Sequence, residues 1–356
     1  MPPLPSFIPT INALGQIIMG KRGRALVILG TKTDPHVSRV KEEIEKCGDT
    51  DVFVFDYHDD TRFAVQVSDK GIVQIRVNGE LLPEKYLVWD RNKILPGTEL
   101  YIQGGDETST GYIAQEWRAL YTLVCGLSEN RVINSLESRR CMIKPYQQVI
   151  AASVGMAVPE TLVTNDKSSA LKFQSQCHSG VIMKSVSAGK VKPAGDGGEY
   201  IPYNVMTMRV GENDLISASE MEIGCCPHFF QEEIRKDYEL RIVVVGDRVM
   251  PFRIGSQKRR TTEVDWRKGM HLIEFTRCDI DTGLQAKIKC FMSKIGFFSG
   301  SIDIMVDREG RHWFLECNQD GAWGWLDDIA SGEIARAFAV EFSNKLDALV
   351  LELTDA

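Results

Sequence analysis

The chain has 356 residues, of which 43% are hydrophobic, and a formal net charge of −7. This length is sufficient for two or three domains with packed cores. The acidic balance argues against a protein that binds nucleic acids through their phosphates. No apolar run approaches the roughly 18 residues of a membrane-spanning helix, so no membrane contact is expected.

The cysteines and the first residues bear on location. Nine cysteines are irregularly spaced and include no Cys-x-x-Cys pair, which is typical of free thiols in a reducing compartment. The first twenty residues contain several prolines and lack a basic stretch before their apolar part, unlike a secretory signal peptide. We therefore expect a cytoplasmic protein with a loosely docked N-terminal arm.

The N-terminal region, residues 1–130, predicts an open α/β domain. A buried-strand pattern at 24–31, a helical pattern at 35–47 and a second strand pattern at 51–56 give the order β-α-β. The predicted elements that follow are a hairpin turning at Asn78-Gly79, a strand at 86–90 and a helix at 111–127.

The central region, residues 131–230, predicts a helix at about 136–154 and strands at 159–164 and 181–186. A glycine-rich stretch, 187–198, follows the second strand. Glycines allow backbone N–H groups to approach phosphate oxygens closely. The Walker A pattern is absent, so a plain flexible loop explains this stretch equally well.

Two lysines precede the glycine-rich stretch. Lys144 lies on the predicted helix, and Lys184 lies within an apolar strand. A buried ammonium group requires an anion, and a nucleotide phosphate would serve. The alternative is a side chain that extends along the strand to reach solvent.

The C-terminal region, residues 231–356, begins with strand patterns at 229–234 and 240–245. The first strand has exposed backbone that could bind an adenine edge. Glu239 and Arg241 share one face of the second strand, which gives a carboxylate for a ribose and a guanidinium for a transferred phosphoryl group. Arg253 falls on the neighbouring strand.

A basic cluster follows, made of 258–260 and Arg267-Lys268. Charge runs of this kind usually form a solvated loop. The alternative is a segment that attracts an acidic peptide or covers a phosphate group.

A hairpin near the C-terminus has oxygen ligands on one face. Its polar turn is 307–310, and alternation along the strand makes Glu316 and Asn318 point the same way. Asp303 then lies opposite Phe314 or Glu316, on the same face in either register. Two carboxylates and an amide oxygen are typical ligands of Mg²⁺. The alternative is a solvated hairpin with ordinary polar residues, against which the apolar neighbours argue.

This order of parts resembles the ATP-grasp ligase superfamily over about 134–330. The resemblance implies the fold class α/β and α+β: an ATP-grasp fold with an N-terminal pre-ATP-grasp α/β domain and lobes at 131–230 and 231–356. The ATP-binding residues that it implies are Lys144, Lys184, Gln231, Glu232, Glu233, Ile234 and Glu239. It further implies Mg²⁺ at Asp303, Glu316 and Asn318, and phosphoryl stabilisation by Arg241 and Arg253.

A narrower resemblance extends over nearly the whole chain. The segments 132–134, 158–166 and 318–326, with Asp34-Pro-His36-Val37 before Phe55-Asp56, look like the peptide-modifying ATP-grasp ligases of microviridin and related graspetide pathways. Those ADP-forming ligases join Asp or Glu side chains of an acidic ribosomal precursor peptide, which carries a leader, to Thr or Ser hydroxyls or Lys amines. Cys317, Gln319 and 90–92 depart from the usual signature, which leaves the substrate and the ester or amide linkage open.

Three functions are therefore weighed. The first is a macrocyclase of this kind, and the second is an ATP-grasp ligase that acts on a small molecule or adds amino acids to a protein tail. The third is a nucleotide-dependent peptide-binding scaffold without turnover, against which the complete ligand set argues. No general base is predicted, and a homodimer is left open.

Overall fold

The computed structural model describes residues 23–56, 61–71, 73–91, 107–135, 137–186, 190–191 and 203–354. The N-terminal arm and most of the glycine-rich stretch lie outside these residues. The chain divides into two compact units, the first within Met1–Arg139, Gly296–Ser299 and Ala322–Ala356, and the second within Arg140–Ile295 and Gly300–Gly321. The domain limits at 130/131 and 230/231 stay predictions.

Strands and helices are interspersed along the chain. The strands are β1 (Arg24–Leu29), β2 (Asp51–Phe55), β3 (Phe63–Val67), β4 (Val73–Val77), β5 (Glu80–Leu81), β6 (Lys85–Asp90), β7 (Val132–Ile133), β8 (Thr161–Thr164), β9 (Val181–Lys184), β10 (Lys190–Val191), β11 (Tyr203–Asn204), β12 (Met208–Val210), β13 (His228–Glu232), β14 (Lys236–Val245), β15 (Arg248–Ile254), β16 (Phe275–Arg277), β17 (Ser299–Asp307) and β18 (His312–Asn318). The helices are α1 (Pro35–Cys47), α2 (Glu107–Ser128), α3 (Lys144–Ser153), α4 (Lys167–Gln176), α5 (Glu212–Ser217), α6 (Glu220–Gly224), α7 (Thr282–Ile295), α8 (Gly324–Ile329) and α9 (Glu333–Thr354).

A parallel four-stranded sheet, in the order β2-β1-β6-β7, forms the centre of the first unit. Its strands are apolar on both faces because both faces are covered. Val27 and Val88 pack with residues of α2 and of the small β3-β4-β5 sheet. On the other face, the Trp89 ring lies 5.4 Å from Phe338 and 5.5 Å from Phe342 of α9.

The predicted hairpin turn at Asn78-Gly79 is confirmed. It joins β4 to β5, and Val77 pairs with Glu80 across it. Both turn residues have positive φ, 53° and 85°, as the two-residue turns favoured in hairpins require.

The second unit contains two sheets that carry the candidate site residues. One is antiparallel with the order β12-β9-β13-β8, and the other has the order β16-β15-β14-β17-β18. In the first of these, Val181 and Phe230 pack into a core under the short helices α4 to α6.

Helix α3 begins at Lys144, later than the predicted start near 136. Residues Ser138–Met142 form a 3₁₀ turn instead, and Pro145 stands in the first turn of α3, where the helix does not need its missing N–H. The Gln147 side chain donates to Cys317 O (2.9 Å) and accepts from Cys317 N (2.8 Å). This pair of hydrogen bonds fixes α3 to β18 and so places Lys144 beside the hairpin.

The cysteines and helices bear on two further features of the chain. All nine cysteines are free thiols. Within the described ranges, we find no helix whose length and apolar content would let it cross a membrane.

Candidate nucleotide and metal site

The hairpin of β17 and β18 brings the three predicted metal ligands to one face. Asp303 pairs with Glu316, which is one of the two registers that the sequence allows, and Ser301 pairs with Asn318. The Asn318 amide nitrogen donates to Glu316 Oε1 (3.1 Å), so its carbonyl oxygen is the group available for a cation. Cys317 points to the opposite side, with its Sγ 3.9 Å from Met292 Sδ, and burial raises the pKa of its thiol.

The donor set fits a hard cation. Two carboxylates and one amide oxygen are the ligand types of Mg²⁺, which usually completes its shell with phosphate oxygens and water. Over the part of the chain that the structure describes, no group of three or more His, Cys, Asp or Glu residues could hold a metal ion. A cation here would therefore depend on Asn318 and on oxygens from a bound nucleotide.

Positive side chains compensate the two carboxylates unequally. Arg241 Nη1 donates to both oxygens of Asp303, at 2.9 Å each. Burial nevertheless raises the pKa of Asp303, since the neighbouring Glu316 charge acts in the same direction. Burial acts to raise the pKa of Glu316 as well, but Lys144, with its Nζ at 3.5 Å, and Arg267 bring it below the usual value. Glu316 is thus the carboxylate that is held in its charged form.

The charges of Glu316, Lys144 and Arg267 also act on Lys184. Its side chain is half-buried, and its Nζ donates to Gln231 Oε1 (2.8 Å). Burial lowers the pKa of Lys184 to about 8; Glu316 opposes this shift, while the positive charges of Lys144 and Arg267 add to it. An incoming phosphate group would favour the charged form.

Gln231 is fully buried and links Lys184 to strand β8. Its Nε2 donates to Thr161 Oγ1 (3.1 Å), and that hydroxyl donates to Gln148 Oε1 (2.9 Å). The Gln231 amide is therefore oriented by two partners, which fixes where the Lys184 ammonium lies.

The segment predicted to bind adenine is partly engaged within the protein. The N–H of Glu232 donates to Glu160 O and that of Glu233 donates to Gly180 O, both at 2.9 Å. These two N–H groups are therefore already bonded within the protein. The Glu233 carboxylate accepts from Arg209, at 2.7 Å from Nη2.

Glu239, predicted to bind a ribose, lies in a buried ion pair. Its Oε1 accepts from Lys236 Nζ (2.8 Å), and both side chains are about 6% exposed. Lys236 also donates to Val264 O (3.2 Å). A ribose hydroxyl would share the Glu239 carboxylate with Lys236, a residue that the sequence analysis did not single out.

The structure does not bring Arg253 to the face that carries Arg241. Arg241 pairs with Phe252 and Leu240 pairs with Arg253, so the two arginines project from opposite faces of the sheet. The Arg253 guanidinium lies over the Tyr238 ring, 3.9 Å from its centre, and the side chain is 52% exposed. The assignment of Arg253 to the transferred phosphoryl group is corrected on this ground.

Arg267 is 52% exposed along its side chain, and it adds positive charge that acts on the site carboxylates. Its Nε and Nη2 bind the two oxygens of Asp265 at 2.8 and 2.9 Å. Burial opposes its charge, but Asp265 first, then Glu316 and Asp303, raise the pKa of Arg267 above its usual range. The buried Trp266 between the paired residues was the signal in the sequence that this segment is not a plain solvated loop.

Comparisons with known proteins test the fold of the chain. No family model and no curated protein matches the chain. Among solved structures, a RiPP-associated ATP-grasp ligase of Chryseobacterium gregarium, in complex with ADP and a leader and core peptide, has 26% identity and a TM-score of 0.76, and the match covers 90% of this chain and 97% of that one. The macrocyclase MdnC of Microcystis aeruginosa MRC, bound with precursor peptide MdnA, has 24% identity and a TM-score of 0.73 over 90% and 99%.

A third match is the ATP-grasp ligase PsnB, complexed with a phosphomimetic variant of a minimal precursor, Mg and ADP. It has 20% identity and a TM-score of 0.68, with 90% of this chain and 98% of that chain covered. The chain therefore has the ATP-grasp fold, and its similarity to peptide-modifying ATP-grasp ligases extends over nine-tenths of its length. The predicted ATP-grasp fold and the predicted resemblance to peptide-modifying ATP-grasp ligases are both confirmed.

Proposed function

We propose that this protein is an ADP-forming ATP-grasp ligase that forms crosslinks within a ribosomal precursor peptide. It joins Asp or Glu side chains of the peptide to Thr or Ser hydroxyls or to Lys amines. The observation that carries the proposal is the convergence of Asp303, Glu316 and Asn318 with Lys144, Lys184, Arg241 and Arg267 in the second unit. The similarity to ligases solved with ADP and precursor peptides supports the substrate class.

The metal and nucleotide are held by distinct groups. Asp303, Glu316 and Asn318 would hold Mg²⁺. Lys144 and Lys184 would bind phosphate oxygens, Gln231 to Ile234 would bind adenine, and Glu239 would bind the ribose. When bound, Mg-ATP supplies a γ-phosphoryl group that converts a peptide carboxylate into an acyl phosphate, which a hydroxyl or an amine then attacks.

The chain's own contribution is positioning and charge compensation. Arg241 is hydrogen-bonded to Asp303, and Arg267 is hydrogen-bonded to Asp265. The negative charge of Glu316 also acts on Arg267. Two arginines held in this way can stabilise charge on the transferred phosphoryl group without reorganising. Because no side chain is assigned as a general base, the acceptor loses its proton to substrate or water.

The cellular setting follows from the chemistry. Nine free thiols support a cytoplasmic location. The precursor peptide with its leader is the expected partner. A homodimer and the lack of nucleic-acid contact stay predictions.

Mass spectrometry of a precursor peptide incubated with the protein and Mg-ATP tests the proposal. We expect the peptide to lose the mass of one water for each bond formed, with one ADP released per bond, because the acyl phosphate provides the leaving group. Mild base then separates esters, which hydrolyse and regain the mass, from amides, which persist.

Other outcomes point to the alternatives. A mass gain equal to an added amino acid would favour a ligase of the tail-modifying type. ATP binding without any mass change, with every acidic peptide encoded beside the gene, would contradict the ligase proposal and favour a binding scaffold.

A further inference from the structure

Gly321 closes the turn that follows strand β18, and its surroundings leave no space for a side chain. Its N–H donates to Asn318 O (3.0 Å). A Cβ atom added there would lie 2.4 Å from Cβ and Oγ of Ser301 and 2.8 Å from Nη2 of Arg241. Real Cβ atoms essentially never approach other atoms within 3.0 Å, so a methyl group at this position must displace something.

One of the atoms that the added methyl group would displace, Arg241 Nη2, belongs to the candidate site. Arg241 is 6% exposed, and its Nη1 contacts both oxygens of Asp303. Its Nη2 lies against Gly321. Because the guanidinium group is planar and rigid, these contacts on two of its nitrogens fix the orientation of its plane.

The Ser301 side chain, on the strand beside the turn, meets Gly321 by packing and not by a hydrogen bond of its hydroxyl. Ser301 is 1% exposed, and its Oγ has no hydrogen-bond partner among the described residues. The Ser301 hydroxyl therefore does not tie the turn down. What allows the close contact is the missing side chain at Gly321.

We propose that Gly321 is a positioning residue for phosphoryl transfer, an inference that rests on the proposed function. With no side chain at 321, the turn 318–321 packs directly on Arg241 and holds its guanidinium on Asp303, directed at the transferred phosphoryl group. Gly321 contacts no substrate in this role, and its effect passes through Arg241.

Gly321→Ala is the test variant. The added methyl group rotates or shifts the guanidinium, and a misplacement of about 1 Å can reduce turnover on the order of 100-fold. We expect kcat for ADP formation, measured with the precursor peptide, to fall by at least about tenfold while KM for ATP changes by less than about threefold. Calorimetric ADP affinity should also be retained, because ADP lacks the group that Arg241 faces.

Gly300→Ala is the matched control. It adds the same methyl group to the same hairpin. That group would lie 2.7 Å from Cys317 Sγ, on the core side of the hairpin, and would not contact Arg241. Both variants should lose thermal stability. Compared at a temperature where both are folded, only Gly321→Ala should lose kcat.

A second variant tests the steric cause. Ser301→Gly combined with Gly321→Ala removes two of the three close contacts and should recover part of the lost kcat. An equal loss of kcat in Gly300→Ala and Gly321→Ala would overturn the inference, as would no loss in Gly321→Ala. Full recovery of Gly321→Ala by excess Mg²⁺ would also overturn it, because the turn would then act through Asn318. If the wild-type protein forms no ADP with any peptide, the proposed function fails instead.

Discussion

Lys184 has an ammonium group that is close to losing its proton at neutral pH. Burial lowers its pKa to about 8, and the nearby positive charges contribute to this shift. A phosphate group favours the charged form, so binding draws a proton onto Lys184 when the free protein has lost it.

The first prediction is that nucleotide affinity falls as pH rises through about 8. Below that pH the ammonium is already charged, and above it the bound state must take up a proton. Calorimetry of ATP binding in buffers of different ionisation enthalpy measures this uptake. Lys184→Arg should flatten the pH profile and Lys184→Ala should weaken binding markedly; unchanged ATP affinity in Lys184→Ala would place the nucleotide elsewhere.

The second prediction concerns Glu316, the carboxylate that Lys144 and Arg267 hold in its charged form. Glu316→Gln keeps the shape but removes a metal-binding charge, and losses on the order of 100-fold or more are expected when such stabilisation is removed. ADP formation should fall by this amount while circular dichroism shows an intact fold. Glu309→Gln, the same change at an exposed position in the same hairpin, is the control and should retain full turnover. Near-normal turnover in Glu316→Gln would refute the metal assignment.

At the scale of elements, His36 joins two distant segments of the first unit. Its Nε2 accepts from the N–H groups of Trp323 (2.9 Å) and Gly324 (3.0 Å), while its Nδ1 pairs with Asp34. Helix α8 has no side-chain cap of its own, so His36 of α1 provides the acceptor. Burial opposes the charge of Asp34, but the hydrogen bond from His36 and the charge of Arg91 bring its pKa well below the usual range.

The third prediction is that His36→Ala destabilises the protein by about 1–2 kcal/mol, as the loss of a helix cap does. Two buried N–H groups at the start of α8 would be left without their acceptor. Urea unfolding measures the change, and His312→Ala, at a partly exposed strand position, serves as the control. Equal stability in the two variants would show that the His36 contact has no capping role.

The elements differ in how far local sequence determines them. Strand β1, helix α1, strand β2 and the Asn78-Gly79 turn were predicted because their patterns are local. The face shared by Glu316 and Asn318 was also predictable, since alternation along a strand depends on nothing distant. The position of Asp303 depends on the register across the hairpin, which shifts between Asp303 and Ile304.

The opposite faces of Arg241 and Arg253 could also have been predicted. The two-residue turn between β14 and β15 pairs Val245 with Arg248, and counting back from this pair places the two arginines on opposite faces of the sheet.

Buried and exposed charges are harder to distinguish from the sequence. The ion pair of Lys236 with Glu239 is buried, whereas in the pair of Arg267 with Asp265 only the carboxylate is enclosed and the arginine side chain is 52% exposed. Which of these charges are buried depends on packing that the sequence does not show.

At the scale of the whole molecule, the residues of the proposed nucleotide and metal site all belong to the second unit. A ligand that binds only the folded state stabilises it by about 2.7 kcal/mol at a concentration of 100 Kd. Contacts made directly by the ligand should slow local opening of the strands that provide them.

The fourth prediction is that Mg-ATP slows amide hydrogen exchange in β9, β13, β17 and β18 more than in β1 and β6. Hydrogen-exchange mass spectrometry with and without Mg-ATP measures this difference. Glu316→Gln should show less protection of β17 and β18 at the same ligand concentration. Protection confined to the sheet of the first unit would contradict the location of the site.

Helix α9 covers one face of the parallel sheet that contains strand β1. Phe338 and Phe342 of α9 cover Trp89, and Arg24 reaches Asp347, 323 positions further along. During translation, one apolar face of this sheet therefore stays uncovered until α9 has left the ribosome. A nascent chain that stalls before α9 presents that face to its surroundings, which makes incomplete products candidates for aggregation or chaperone capture.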